Sequence, residues 1–123
     1  MTNRWSIEEE NLLADMWLEV SQDRDIANER SFWNQVVERF NNQSEGDYRT
    51  KNMVTSKWAR LNSECQKFNI IYKHLLRTSQ KNDDDRLQNA KNIFEERFGG
   101  RDFQYFHVWF LLKNTPTWNK SNA

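Results

Sequence analysis

Val54-Thr55-Ser56-Lys57-Trp58-Ala59-Arg60-Leu61-Asn62-Ser63-Glu64-Cys65-Gln66-Lys67-Phe68, continued to Leu76, is the stretch that decides the fold. Within it Val54, Trp58, Leu61, Cys65, Phe68, Tyr72 and Leu75 step by four and three residues. At about 100° per residue those side chains fall in one stripe of a helix. Asn52, Ser56, Ala59, Arg60, Ser63 and Lys67 occupy the opposite side, which carries no large apolar group. The periodicity predicts a helix from about Lys51 to Leu76, on the order of 39 Å long at 1.5 Å per residue. Such a helix outruns a small three-helix core, so the C-terminal half of its stripe needs cover from elsewhere in the chain.

Working back toward the N-terminus, Ser6 followed by Glu9 reads as a capping box, and Glu8 to Glu10 place negative charge where a helix start favours it. Leu13, Met16, Trp17 and Val20 then recur at helical spacing. The segment Ser21 to Glu29 is polar and aperiodic and is expected to be a loop. A second helix is expected from near Ser31, with Trp33, Val36, Val37 and Phe40 on its apolar face and Asn41 to Asp47 breaking it. Working forward, Arg77 to Arg86 is a polar connector, and Asp83 to Asp85 are expected to supply the cap of a fourth helix. That helix carries Leu87, Ala90, Phe94 and Phe98 and stops at Gly99-Gly100. A fifth is expected from about Phe103 to Lys113, capped by Asp102 and closed by Pro116.

The 123 residues contain 14% aromatics, including 6 Trp and 8 Phe, which argues against a disordered chain. Three Gly and one Pro disfavour a meandering β sandwich. One cysteine excludes an internal disulfide framework and a zinc ribbon. No apolar run approaches the roughly 20 residues of a membrane span, and no signal peptide is visible. These features predict a soluble all-α protein of a reducing compartment, with no membrane partner.

A net charge of zero hides a strong polarity. Residues 1–48 carry 4 basic and 11 acidic side chains (net −7), residues 49–77 carry 7 and 1 (net +6), and residues 78–123 carry 7 and 6 (net +1). A basic central helix in a neutral chain points to a polyanionic partner. Arg49, Lys51, Lys57, Arg60 and Lys67 are the expected phosphate contacts. The acidic first block points instead to a protein partner, and a polarised domain can serve both.

Catalytic readings find little purchase. Cys65 lies on the apolar stripe and reads as a buried inert thiol. His74 and His107 have no cysteine or carboxylate at ligand spacing. The acidic triplets sit at helix starts, where capping explains them, and no glycine-rich phosphate loop or Ser-His-Asp pattern accompanies them. The expectation is a non-enzymatic protein with no catalytic residues, metal, cofactor or small-molecule substrate.

Trp5, Trp33 and Trp58 are spaced by 28 and 25 residues and read as core aromatics. Together with Trp5-Ser6-Ile7-Glu8-Glu9-Glu10-Asn11-Leu12-Leu13 and Phe32-Trp33-Asn34-Gln35-Val36-Val37, this pattern resembles the Myb/SANT family. Its wide spacing is similar to the plant trihelix subgroup. Ser56-Lys57-Trp58-Ala59-Arg60-Leu61-Asn62, Lys67-Phe68-Asn69, Asn82-Asp83, Trp109, Pro116 and Trp118 further resemble plant proteins related to the Myb-like protein of Harbinger-type transposons and to no-apical-meristem-associated proteins. The resemblance implies a three-helix helix-turn-helix core over residues 4–76 with an extended third helix. Residues 77–118 would form two additional C-terminal helices packed on that helix.

It also implies a nuclear transcription regulator or transposon-derived cofactor that binds double-stranded DNA with its third helix in the major groove. Asn52, Ser56 and Ala59 would face bases, and Ser63 completes the same face. The competing reading is a protein-interaction module without DNA contact. The fifth helix is apolar all round: Tyr105, Trp109, Phe110 and Leu112, with Trp118, either form a partner or self-association surface or pack on the third and fourth helices.

Overall fold

The computed structural model describes residues 4–23, 25 and 29–121, with the side chains of residues 29, 30, 120 and 121 excepted. The described residues form six helices and contain no strand: α1 (Ile7–Ser21), α2 (Glu29–Gln43), α3 (Lys51–Thr78), α4 (Asp83–Arg97), α5 (Phe106–Leu112) and α6 (Pro116–Ser121). The all-α expectation holds. Of the expected loop from Ser21 to Glu29, residues 22, 23 and 25 are non-helical and residues 24 and 26–28 lie outside the described residues; Ser21 itself ends α1 and Glu29 opens α2, two residues ahead of the expected start.

Local chemistry sets the helix ends. The Ser6 hydroxyl accepts from the Glu9 amide at 3.0 Å and the Glu9 carboxylate accepts from the Ser6 amide at 3.0 Å, which closes the capping box of α1. Thr50 caps α3 by accepting from the Met53 amide at 3.2 Å. The cap of α4 is Asn82, which accepts from the Asp85 amide at 2.9 Å, so the aspartates form the first turn rather than the cap. At its other end Gly99 and Gly100 take φ of 73° and 80°, and the Gly100 amide donates to the Glu95 carbonyl at 2.8 Å. That is a Schellman closure, which needs the left-handed backbone glycine allows.

The buried stripe of α3 (Val54, Trp58, Leu61, Cys65, Phe68, Tyr72, Leu75) joins Leu13, Met16 and Val20 of α1, Val36 and Phe40 of α2, Phe94 of α4, and Trp109, Leu112 and Trp118 in one continuous core. Phe68 is its hub: it stacks on Phe103 at 4.3 Å, meets the Trp109 edge at 4.7 Å and lies 6.3 Å from Phe94. Aromatic pairs in such geometries contribute roughly 0.5–1.5 kcal/mol each beyond the area they bury. The helices that follow α3 cover more than α3 alone, because α5 and α6 also pack on α1.

The last third of the chain departs from the sequence reading. A single helix from Phe103 to Lys113 capped by Asp102 does not form. Residues 101–105 form no helix, Tyr105 is the cap of a helix of 7 residues, and Pro116 opens α6 instead of closing α5. Proline is preorganised for a first helical position and has no amide to leave unpaired there. The partner-surface expectation for Tyr105, Trp109, Leu112 and Trp118 is also corrected, since all four are buried. The reason lies on α3, which offers an acceptor for each indole: Trp109 Nε1 donates to Asn69 Oδ1 at 3.0 Å, and Trp118 Nε1 donates to Asn62 Oδ1 at 2.7 Å. Only Phe110 of that set stays exposed, at 55%, beside Leu111.

Candidate nucleic-acid interface

The outward side of α3 carries Lys51, Asn52, Ser56, Ala59, Arg60 and Ser63, all exposed. Asn52, Ser56, Ala59, Arg60 and Ser63 follow one another at intervals that keep them on a single stripe opposite the buried one, and Lys51 stands in the first turn to one side of it. Tyr48 stands exposed just ahead of the helix. The stripe is polar and cationic, with the dimensions of a helix surface able to enter a groove about 12 Å wide.

Two of the expected phosphate contacts are turned inward and are corrected here. Arg49 is 3% exposed. Its Nε and Nη2 donate to Glu9 Oε2 and Oε1 at 2.9 and 3.1 Å, Nη2 also reaches the Arg4 carbonyl at 3.0 Å, and its guanidinium lies 4.7 Å over the Trp5 ring. A cation buried without a partner would cost several kcal/mol, so the same carboxylate that caps α1 is recruited to neutralise it. Lys57 is likewise engaged: its ammonium sits 2.7 Å from Glu10 Oε2, 3.4 Å from the Tyr105 hydroxyl and 5.0 Å from the Tyr105 ring. Lys67 is paired with Glu64 at 3.2 Å and lies over Phe98, and Glu64 also takes Arg101. Of the five cations, Lys51 and Arg60 remain as exposed groups that make no ion pair among the described residues.

Beside the stripe, α1, α3 and the start of α5 enclose a polar cleft of about 510 Å³ lined by Arg4, Ile7, Glu10, Lys57, Arg60, Gln104, Tyr105 and His107. Its base is the buried Glu10 carboxylate. One oxygen is held by Lys57, and the other lies 2.7 Å from His107 Nε2. His107 was read from the sequence as isolated; the carboxylate that meets it is 97 residues away, a separation no local pattern reveals. Cys65 lies deeper in the core. Burial, reinforced by Glu64 and Glu10, pushes its thiol up, so it stays protonated and inert. No group of three or more His, Cys, Asp or Glu among the described residues is arranged to hold a metal ion.

No family model matches the chain, and no solved structure matches it. Over 94% of its length the chain is 28% identical to glutathione S-transferase T3 of Arabidopsis thaliana. It spans 21% of that protein, about a fifth of its length. The Myb/SANT and Harbinger-related resemblance is thereby corrected: the similarity found is to a protein of another name, and one whose name denotes an enzyme.

The structure supplies a physical reason why the tryptophan spacing misled. Trp5, Trp33 and Trp58 act as apolar anchors, which packed helices of many kinds need. Trp58 is buried and stacks at 4.8 Å on Trp17, a residue outside the pattern. Trp5 and Trp33 are half-buried, against Phe40 and Phe32 respectively. The fully buried tryptophans are Trp109 and Trp118.

Proposed function

We propose that the chain is a double-stranded DNA-binding module whose third helix, α3, enters the major groove. On this reading α1 to α3 act as a helix-turn-helix unit, and the work of the protein is nuclear and non-catalytic. The observation that supports it is the free polar stripe of Asn52, Ser56, Ala59, Arg60 and Ser63 on a helix whose opposite side, from Val54 to Leu75, is buried in the core. Asn52 has the geometry to pair with an adenine edge, Ser56 to donate or accept, and Ala59 to meet a thymine methyl. Glutathione transfer belongs to the name of the matched relative, of which this chain spans a fifth, and no step of it is assigned here.

Magnitudes shape the test. Five phosphate contacts would give a log-affinity against log-salt slope of about −4.5, whereas Lys51 and Arg60 alone give about −1.8. Between 50 and 200 mM salt that is roughly a 12-fold loss rather than about 500-fold. Fluorescence anisotropy with a random duplex should show the shallower slope. Lys51→Glu with Ser56→Glu should abolish binding while circular dichroism is unchanged. Unchanged affinity in that variant would remove the assignment.

A second reading, a protein-interaction module, is favoured by one observation: Ile70, 67% exposed, lies with Ile71 and Ile93 in a groove flanked by His74, Arg77 and Arg97. Loss of partner capture on Ile70→Glu, with DNA affinity intact, would support that reading over the first.

A further inference from the structure

We propose that the cleft between α1, α3 and the start of α5 is a phosphate-binding site. Arg4 and Arg60 bring two uncompensated positive charges to its walls, and Lys57 balances the one acid there, Glu10. That acid is already spent: Lys57 holds one of its oxygens and His107 stands against the other, so neither is left open to repel an incoming anion. The exposed Arg4 and Arg60 make no side-chain ion pair among the described residues, and a guanidinium offers the planar pair of donors that a phosphate accepts. The Tyr105 hydroxyl and Gln104 add neutral hydrogen-bonding groups. At about 510 Å³ the cleft has room for a tetrahedral oxyanion together with several waters, each taking about 30 Å³ of liquid.

The framework is preorganised, because Lys57 and His107 are fixed by the same buried carboxylate and Tyr105 is itself buried. The phosphate can come from two sources: a free phosphate, or the backbone of a duplex lying on α3. Arg60 belongs to both the stripe and the cleft, so a duplex on the stripe would bring its backbone to the cleft. That second source rests on the DNA reading above.

Two titrations of the full chain test this, with inorganic phosphate and with a random duplex, both followed by the NMR signals of the His107 ring. Saturable shifts are expected with phosphate and not with chloride at equal ionic strength. Arg4→Gln with Gln104→Ala, which keeps the His107 reporter, should weaken phosphate binding at least 10-fold, with circular dichroism as the control for folding. With the duplex, a filled cleft adds Arg4 to the count and steepens the salt slope from about −1.8 to about −2.7, and the double variant returns it to about −1.8. Phosphate binding without duplex binding would keep the cleft as a free-phosphate site and end the DNA reading. Duplex binding with equal affinity and slope in the double variant, and no saturable phosphate shift, would overturn the cleft and leave the DNA reading standing.

Discussion

Replacing Arg49 separates a phosphate contact from a structural ion. The sequence placed this residue at the edge of a basic helix, where Arg49→Leu would lower DNA affinity and leave stability alone. In the structure its guanidinium is buried, held by two hydrogen bonds to Glu9, one to the Arg4 carbonyl and the face of Trp5. Removing one member of such a pair strands the other: the Glu9 side chain, also mostly buried, would keep its charge with no counterion. Breaking a buried pair on one side costs about 3–5 kcal/mol. Unfolding entropy of about 2.1 cal/mol/K per residue amounts to roughly 0.26 kcal/mol/K for a chain of this length, so Tm should fall by roughly 12–19 °C. Replacing both members, as Glu9→Gln with Arg49→Met, should recover most of that loss, because a neutral pair of similar volume carries no stranded charge.

The acid limb gives an independent reading of the same pair. Burial alone would raise the Glu9 carboxyl, but the Arg49 hydrogen bond, the Ser6 amide and the Arg49 charge together hold it below the usual carboxylate value. A carboxyl depressed in the folded state contributes stability above its unfolded value, and that contribution is lost as pH falls through the folded one. The wild type should therefore lose more stability on acidification than the double variant does. Thermal melts by circular dichroism at neutral and acidic pH measure both effects. An Arg49→Leu protein with unchanged Tm and a DNA salt slope shallower by about one unit would refute the structural assignment and restore the phosphate contact.

Two further outcomes follow from the core. Trp109→Ala empties a fully buried site and leaves Asn69 without its indole donor, so it should cost about 3–5 kcal/mol and lower Tm by a similar 12–19 °C. Molar mass by light scattering should not change; a stable variant of smaller mass would return Trp109 to an interface. Cys65 should resist a thiol-specific reagent in the native protein and react fully once denaturant unfolds it. Rapid native labelling would place the thiol outside the core.

Much of the helical scaffold was legible because its signals are local. The stripe from Val54 to Leu75, the Ser6–Glu9 capping box and the stop at Gly99-Gly100 each depend on residues a few positions apart, and the structure shows each of them. The last third was less legible. A run of aromatics with no polar side carries no period to divide it, so the break between α5 and α6 and the role of Pro116 stayed hidden.

The sequence by itself determined that this chain is helical, where its long central helix lies and which side of that helix is apolar, because periodicity and capping act over one or two turns. The tertiary structure alone decided which charges are available. Glu9 meets Arg49 across 40 positions, Lys57 meets Glu10, and Glu10 meets His107 across 97. A formal charge read along the chain says nothing of such pairs. The cost of burying an ion forces it to find a partner wherever the fold brings one near, and that partner is set by packing rather than by spacing.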